Sequence, residues 1–232
     1  MTEAHIIRWK RVAIEVVTIV ASILLAFAID AWWQERGERN REAALIEGLV
    51  IEFDATETLL GELISYHRSN TFKFEELNTL LSASEEHRDA ARIIDLSHDL
   101  WRVRIYAPRM PIYENLVDSI GLEFIQDEGL RSALRVYQDE AINQKGWDDF
   151  LKAFDQDLMV ATLAPRLPYF HHVFGDSQSE GGPEVDLRSL AQDMEFRNLI
   201  ALRADGERKL VDLRLELLKA VEEVQSVLSP FE

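Results

Sequence analysis

The first pattern along the chain is a continuous apolar run. From Val12 to Trp33 the sequence reads VAIEVVTIVASILLAFAIDAWW, and the stretch from Val16 to Ile29 holds no charged residue. As a helix this segment reaches about 33 Å, enough for a hydrocarbon core of about 30 Å. Trp32 and Trp33 suit one membrane interface, and Arg8, Lys10 and Arg11 flank the other. A run this short also fits the core of a signal peptide, but QERGERNRE after Trp33 offers no small-residue cleavage pattern. The segment therefore predicts a single spanning helix. Its polar positions are not scattered. Glu15, Thr18, Ser22, Ala26, Asp30 and Trp33 share a sector of roughly 120°, opposite a face of Ile, Val, Leu and Phe. Small residues at helical spacing, such as Ser22 and Ala26, let two backbones approach closely. The stripe is expected to face a membrane partner. The bland alternative puts Glu15 and Asp30 at the two headgroup levels.

Beyond Trp33 the pattern changes to helical spacing with a solvated face. Leu45, Leu49, Phe53, Thr56, Leu60, Leu63, His67, Asn70, Phe74, Leu77 and Leu81 recur at steps of three and four, the seam of helices packed side by side. His67 and Asn70 read as register-setting polar residues. A bend near 65–72 is expected in so long a helix. SASEEHRD (82–89) is a polar break, and Ala90 to Tyr106 resumes helical spacing up to the stop at Pro108 and Pro111. Leu116–Ile125, Leu130–Tyr137 and Trp147–Leu163 read as shorter helices, the last with Phe150, Leu151, Phe154 and Leu158 inward. Residues 168–186 read as one long loop. From Ser189 a final helix carries Leu210, Leu213, Leu217, Val221, Val224 and Leu228 at seam spacing and is expected to lie along the 45–81 helix. Strand-like alternation is absent. The fold class is all-α: a transmembrane helix (1–33, with its tail) followed by a helical bundle with coiled-coil-like helices (34–232).

Composition sharpens this division. The chain has 232 residues, 25 Lys plus Arg, 42 Asp plus Glu, and a net charge of −17. Residues 1–33 hold three bases and three acids, so the whole acidic surplus lies in 34–232. A surface of that sign argues against nucleic acid as a partner. There is no cysteine, which removes disulfides, thiolate metal sites and cysteine nucleophiles. Bases flank both ends of the apolar run equally, Arg36, Arg39 and Arg41 on the far side matching the three before it. The short N-terminal tail is expected in the cytoplasm, with the bundle outside.

Candidate chemistry is sparse. His171 and His172 with Asp176 form the nearest approach to a metal cluster, but adjacent histidines on a regular element point apart. They read as an exposed loop, and Glu85-Glu86-His87 reads as a solvated charge run. Trp101, Tyr106, Tyr113, Trp147 and Tyr169 read as core or interface anchors. No nucleophile elbow, Walker loop or dinucleotide fingerprint occurs, so no catalytic residue, metal or cofactor is expected.

Glu15, Ser22-Ile23, Ala26, Ile29-Asp30, Trp32 and Glu35 together resemble the opening of a widespread bacterial family of uncharacterised single-pass membrane proteins. A second block, Tyr113-Glu114-Asn115-Leu116 with Ser119, Gly121-Leu122, Ile125, Leu130 and Tyr137, is also similar to that family. So is Phe196-Arg197-Asn198-Leu199. This chain departs from the pattern at Ser22, Ala28 and Asp30-Ala31. The resemblance implies inner-membrane topology and a helical fold, and no activity.

The reading is a non-enzymatic accessory or scaffold subunit. It would sit in the bilayer, dock other membrane subunits or a second copy of itself, and brace a larger complex, such as a respiratory or photosynthetic assembly. The alternative is an extracytoplasmic sensor, with 168–186 as its ligand lip. A metal-dependent enzyme comes third.

Overall fold

The computed structural model describes residues 3–154, 160–163, 165–167 and 185–229. The described residues contain helices and no strand. The order is α1 (Glu3–Ser82), a 3-10 turn (Glu85–His87), α2 (Ala90–His98), a 3-10 turn (Asp99–Trp101), α3 (Pro111–Asn115), a π turn (Leu116–Ile120), a 3-10 turn (Leu122–Phe124), α4 (Glu128–Phe154), α5 (Val160–Leu163), α6 (Leu187–Gln192) and α7 (Met194–Leu228). Two compact units emerge, Met1–Leu49 and Val50–Glu232. In the first, every described side chain from Arg11 to Arg41 is exposed. This part of α1 contains the one helical stretch among the described residues that is long and apolar enough to cross a membrane.

The second unit is a bundle built around α7. Gln225 bonds Asp54 and Glu57, Arg208 pairs with Glu75, and Arg197 bonds Ser82 and Asn78. Positions therefore descend along α7 as they ascend along α1, so the two run antiparallel. On α4, Gly129 lies against Val227 while Trp147 lies against Lys209, so α4 is antiparallel to α7 as well. The seam positions do what their spacing predicts. Leu45 is half-buried and every later seam position from Leu49 to Leu81 is buried, as are Leu210, Leu213, Leu217, Val221, Val224 and Leu228 on α7. Full burial of a Leu or Phe such as Phe53, Leu60 or Phe74 stabilises by about 1.5–3 kcal/mol. At the far end, Phe74, Leu77 and Leu81 pack with Leu96 and Leu100 of the following turns and with Phe196 and Ile200 of α7.

Aspartates set the helix starts. Asp89 accepts the Arg92 amide, Asp127 that of Leu130, Asp186 those of Arg188 and Ser189, and Asp193 that of Phe196. An acidic N-cap satisfies an orphan amide and complements the helix dipole. Asp193 is what divides the expected final helix into α6 and α7, and Arg166 beside it holds its carboxyl below the usual range.

Several expectations are corrected. The helix expected over 90–106 stops at His98, and residues 102–110 form an irregular segment. Val103 and Ile105 are β-branched, Pro108 ends any helix, and side chains of the bundle supply the partners this backbone lacks. The two helices expected between 130 and 163 are one through Phe154, because Gln138–Lys145 contains no breaker and Gly146 alone is tolerated. Phe150 is exposed rather than inward, and Phe154 and Leu158 lie outside the described side chains.

Gly121 closes the π turn with φ 93° and ψ 140°, a conformation open to almost no other residue. A Cβ there would also meet the Glu123 carboxylate at 2.2 Å, though that exposed side chain can swing away. Gly121→Ala is expected to cost about 1–3 kcal/mol through backbone strain alone. Thermal unfolding followed by circular dichroism checks this, and an unchanged midpoint would remove the claim.

Candidate functional site

Glu15, Thr18, Ser22, Ala26, Asp30 and Trp33 are all exposed on α1. Their polar groups are largely turned inward on the helix itself. Thr18 donates to the Ile14 carbonyl and Ser22 to the Thr18 carbonyl, both at 2.8 Å, and Gln34 donates to Asp30 at 3.2 Å. In hydrocarbon such back-bonding satisfies a hydroxyl without a partner helix. What the stripe offers a neighbour is therefore shape, the small side chains of Ser22 and Ala26, more than hydrogen bonds. At its end Trp32 and Trp33 meet edge to face at 5.5 Å, and the Arg36 guanidinium lies 5.8 Å over Trp32. Arg11 is exposed, while the side chains of Arg8 and Lys10 fall outside the described residues.

The bundle carries a second constellation that spacing alone did not reveal. Arg214 of α7 is fully buried and is held by Asp148 and Gln144 of α4, while Gln144 also donates to the Leu213 carbonyl at 2.6 Å. One stretch further along, His67 of α1 meets Glu207 of α7 at 2.6 Å, and Arg203 pairs with the same carboxylate at 3.0 Å. Arg203 also donates to the Arg102 carbonyl, and Asp148 accepts the Tyr106 amide at 3.1 Å, so these clusters clamp the irregular 102–110 segment. Glu52 of α1 accepts the Ile112 and Tyr113 amides and thereby caps α3. The signal that could have found these groups is a charge at a seam position: Arg203 and Glu207 continue the α7 seam, and Gln144 and Asp148 continue the buried face of α4.

Aromatic residues fill the space between them. Phe53, Tyr113 and Tyr137 make a triangle of edge-to-face contacts at 4.9–6.1 Å. The Tyr137 hydroxyl donates to the Met110 sulfur at 2.8 Å, and the Tyr106 hydroxyl lies 2.9 Å from that of Tyr137. Burial pushes the Tyr106 hydroxyl up to about 12, against the opposing pull of Tyr137 and Arg214. Burial raises Tyr113 and Tyr137 as well, helped in each by a neighbouring tyrosine. Trp147 stays partly exposed, and Trp101 and Tyr169 fall outside the described side chains. His171, His172, Asp176 and nearly all of the 168–186 loop also lie outside the described residues. Among the described residues no group of three or more His, Asp or Glu is placed to hold a metal ion, and Glu85-Glu86-His87 is exposed.

Two predictions follow from the buried groups. Asp148→Ala leaves the Arg214 guanidinium buried without its carboxylate and is expected to cost about 3–5 kcal/mol, whereas the double variant Asp148→Leu/Arg214→Met recovers most of that loss. Urea unfolding of both variants measures the difference, and equal losses would refute it. The tyrosines set an alkaline limit. Their folded hydroxyls titrate above the ordinary value of 10.0, so above that pH the unfolded chain releases protons that the folded chain keeps. Stability is fully present below pH about 10 and falls as pH rises through 12. Tyrosinate absorbance is expected to appear late for these three residues and together with loss of helicity.

No protein-family model, curated protein or solved structure matches this chain, so its function is read from its own residues.

Proposed function

We propose that this protein is a non-catalytic, single-pass membrane accessory subunit. The apolar part of α1 anchors it, and the Glu15, Ser22, Ala26 and Asp30 face docks a larger membrane complex. The acidic bundle braces neighbouring water-facing surfaces. The observation that carries this reading is an apolar stretch of α1 exposed at every residue from Arg11 to Arg41, with one small-residue face whose hydroxyls already have partners. Such a face gains most from close packing against another helix. The proposed setting is the bacterial inner membrane, with the short N-terminal tail cytoplasmic and the bundle periplasmic. The partner is another membrane subunit, for instance of an energy-transducing assembly.

The test is a pull-down of the full chain in mild detergent with mass spectrometry of what accompanies it. Ser22→Leu with Ala26→Leu keeps the helix apolar and removes the close-approach face. Recovery of the partner is expected to fall about tenfold, the effect of losing roughly 1.4 kcal/mol of packing. The double variant should still sediment with membranes. Unchanged co-purification would sink the docking role.

A further inference from the structure

A groove of about 580 Å³ runs along α1, lined by Glu62, Ser65, Tyr66, Ser69 and Lys73 and, from the irregular segment, by Arg104. Its volume is within the range of small-molecule sites. Glu62, Ser65, Ser69 and Arg104 are exposed, so a solute in the groove can reach them. Glu62, Ser65 and Ser69 recur at steps of three and four, and so lie in line over about 10 Å of the helix. Elsewhere on α1 a hydroxyl donates to the carbonyl four residues back, as in Thr56, Thr58, Thr71, Thr79 and Ser82. Ser65 and Ser69 make no hydrogen bond among the described residues. Lys73 is already engaged by Asp99 at 2.7 Å. The Arg104 guanidinium lies 4.9 Å over the Tyr66 ring and pairs with no described acid, and Glu62 pairs with no described base. Two opposite charges thus line one groove without meeting each other, and two free hydroxyls share the wall. Arg104 is also held in place, by the Tyr66 ring and by the clamps on Arg102 and Tyr106 to either side of it. Such preorganisation lowers the ordering cost of binding. The charges select against simple ions. An anion on Arg104 meets Glu62, and a cation on Glu62 meets Arg104. A solute carrying both signs satisfies both.

We propose that this groove binds a small zwitterion with a primary ammonium and a carboxylate, a free amino acid. The carboxylate accepts from the planar guanidinium of Arg104, whose fork of donors matches its two oxygens. The ammonium donates to Glu62. The hydroxyls of Ser65 and Ser69, able to donate or accept, serve the two ends.

The probes are radiolabelled glycine and γ-aminobutyrate, which carry the same two groups at different separations. Each is equilibrated by dialysis against the full chain in a non-ionic detergent, with empty micelles subtracted. Saturable binding of at least one is expected. Acetate and methylammonium each offer one charge and should displace it about tenfold less effectively or worse, the effect of one lost charged contact. Glu62→Gln and Arg104→Gln should each weaken the zwitterion by a similar factor. Both side chains are exposed and without an ion pair, so circular dichroism should show the helicity of the parent. Glu62→Lys should reverse the preference, so that acetate binds more tightly than the zwitterion. The proposal is overturned by no saturable binding of either probe, by acetate or methylammonium displacing as well as the zwitterion itself, by parental affinity in a folded Glu62→Gln or Arg104→Gln variant, or by a Glu62→Lys variant that still prefers the zwitterion.

Discussion

The bundle depends on one buried cation. Arg214 is completely enclosed, and its guanidinium reaches both Asp148 and Gln144 of α4 while lying 5.5 Å from the centre of the Tyr106 ring. An enclosed ion pair is a poor source of net stability, because desolvation offsets most of its attraction. Its effect is on register. Apolar seams of Leu and Val tolerate a slip of one turn, about 5.4 Å, with modest loss. A slip that parts Arg214 from Asp148 leaves two unpaired charges in the core, at a cost of several kcal/mol. His67, Glu207 and Arg203 impose the same condition between α1 and α7. The two polar clusters thus select one alignment from the many that the apolar pattern allows.

They also explain why a segment without secondary structure can pass through an all-helical domain. Residues 102–110 make no helical ladder, so their backbone groups need other partners. Arg203 and Tyr66 supply donors to the Arg102 carbonyl, and Asp148 accepts from Tyr106. The same charges that fix the helices therefore fix the segment that delivers Tyr106 and Met110. Glu52 does the equivalent for α3 and Tyr113. The positions of Tyr106 and Tyr113 thus follow from charged residues on α4 and α1, while Tyr137 is placed by α4 itself.

What could be read from the residues divides along the same line. The seams of α1 and α7 were legible because burial follows periodicity, and position after position from Leu49 to Leu81 obeys it. The end of α2 was only partly so: Val103, Ile105 and Pro108 weigh locally against helix, but the segment is held by Arg203, about a hundred residues away. Asp148 could be singled out only by its place on the buried face of α4, and Glu52 was invisible among 42 acids, because its role depends on partners brought together by folding. The aspartate caps were legible in principle, as acids directly before the apolar spacing resumes, and Asp193 alone would have divided the last helix correctly.

Charge bears on which partner the proposed docking face would take. The segment up to Trp33 is formally neutral, so the whole surplus of −17 belongs to the part of the chain beyond it. Two copies joined through Ser22 and Ala26 would tether two such acidic domains to neighbouring points on the same membrane. Repulsion between them is screened over about 8 Å at physiological salt, but tethering keeps surfaces near that distance. The hydroxyls of Thr18 and Ser22 add little to offset it, because they already bond their own helix. A different subunit with a basic water-facing surface turns the same charge into attraction and faster encounter. The small-residue stripe and the acidic domain are therefore most consistent with each other in a heteromeric complex, where close packing in the bilayer and charge complementarity outside it act on one partner.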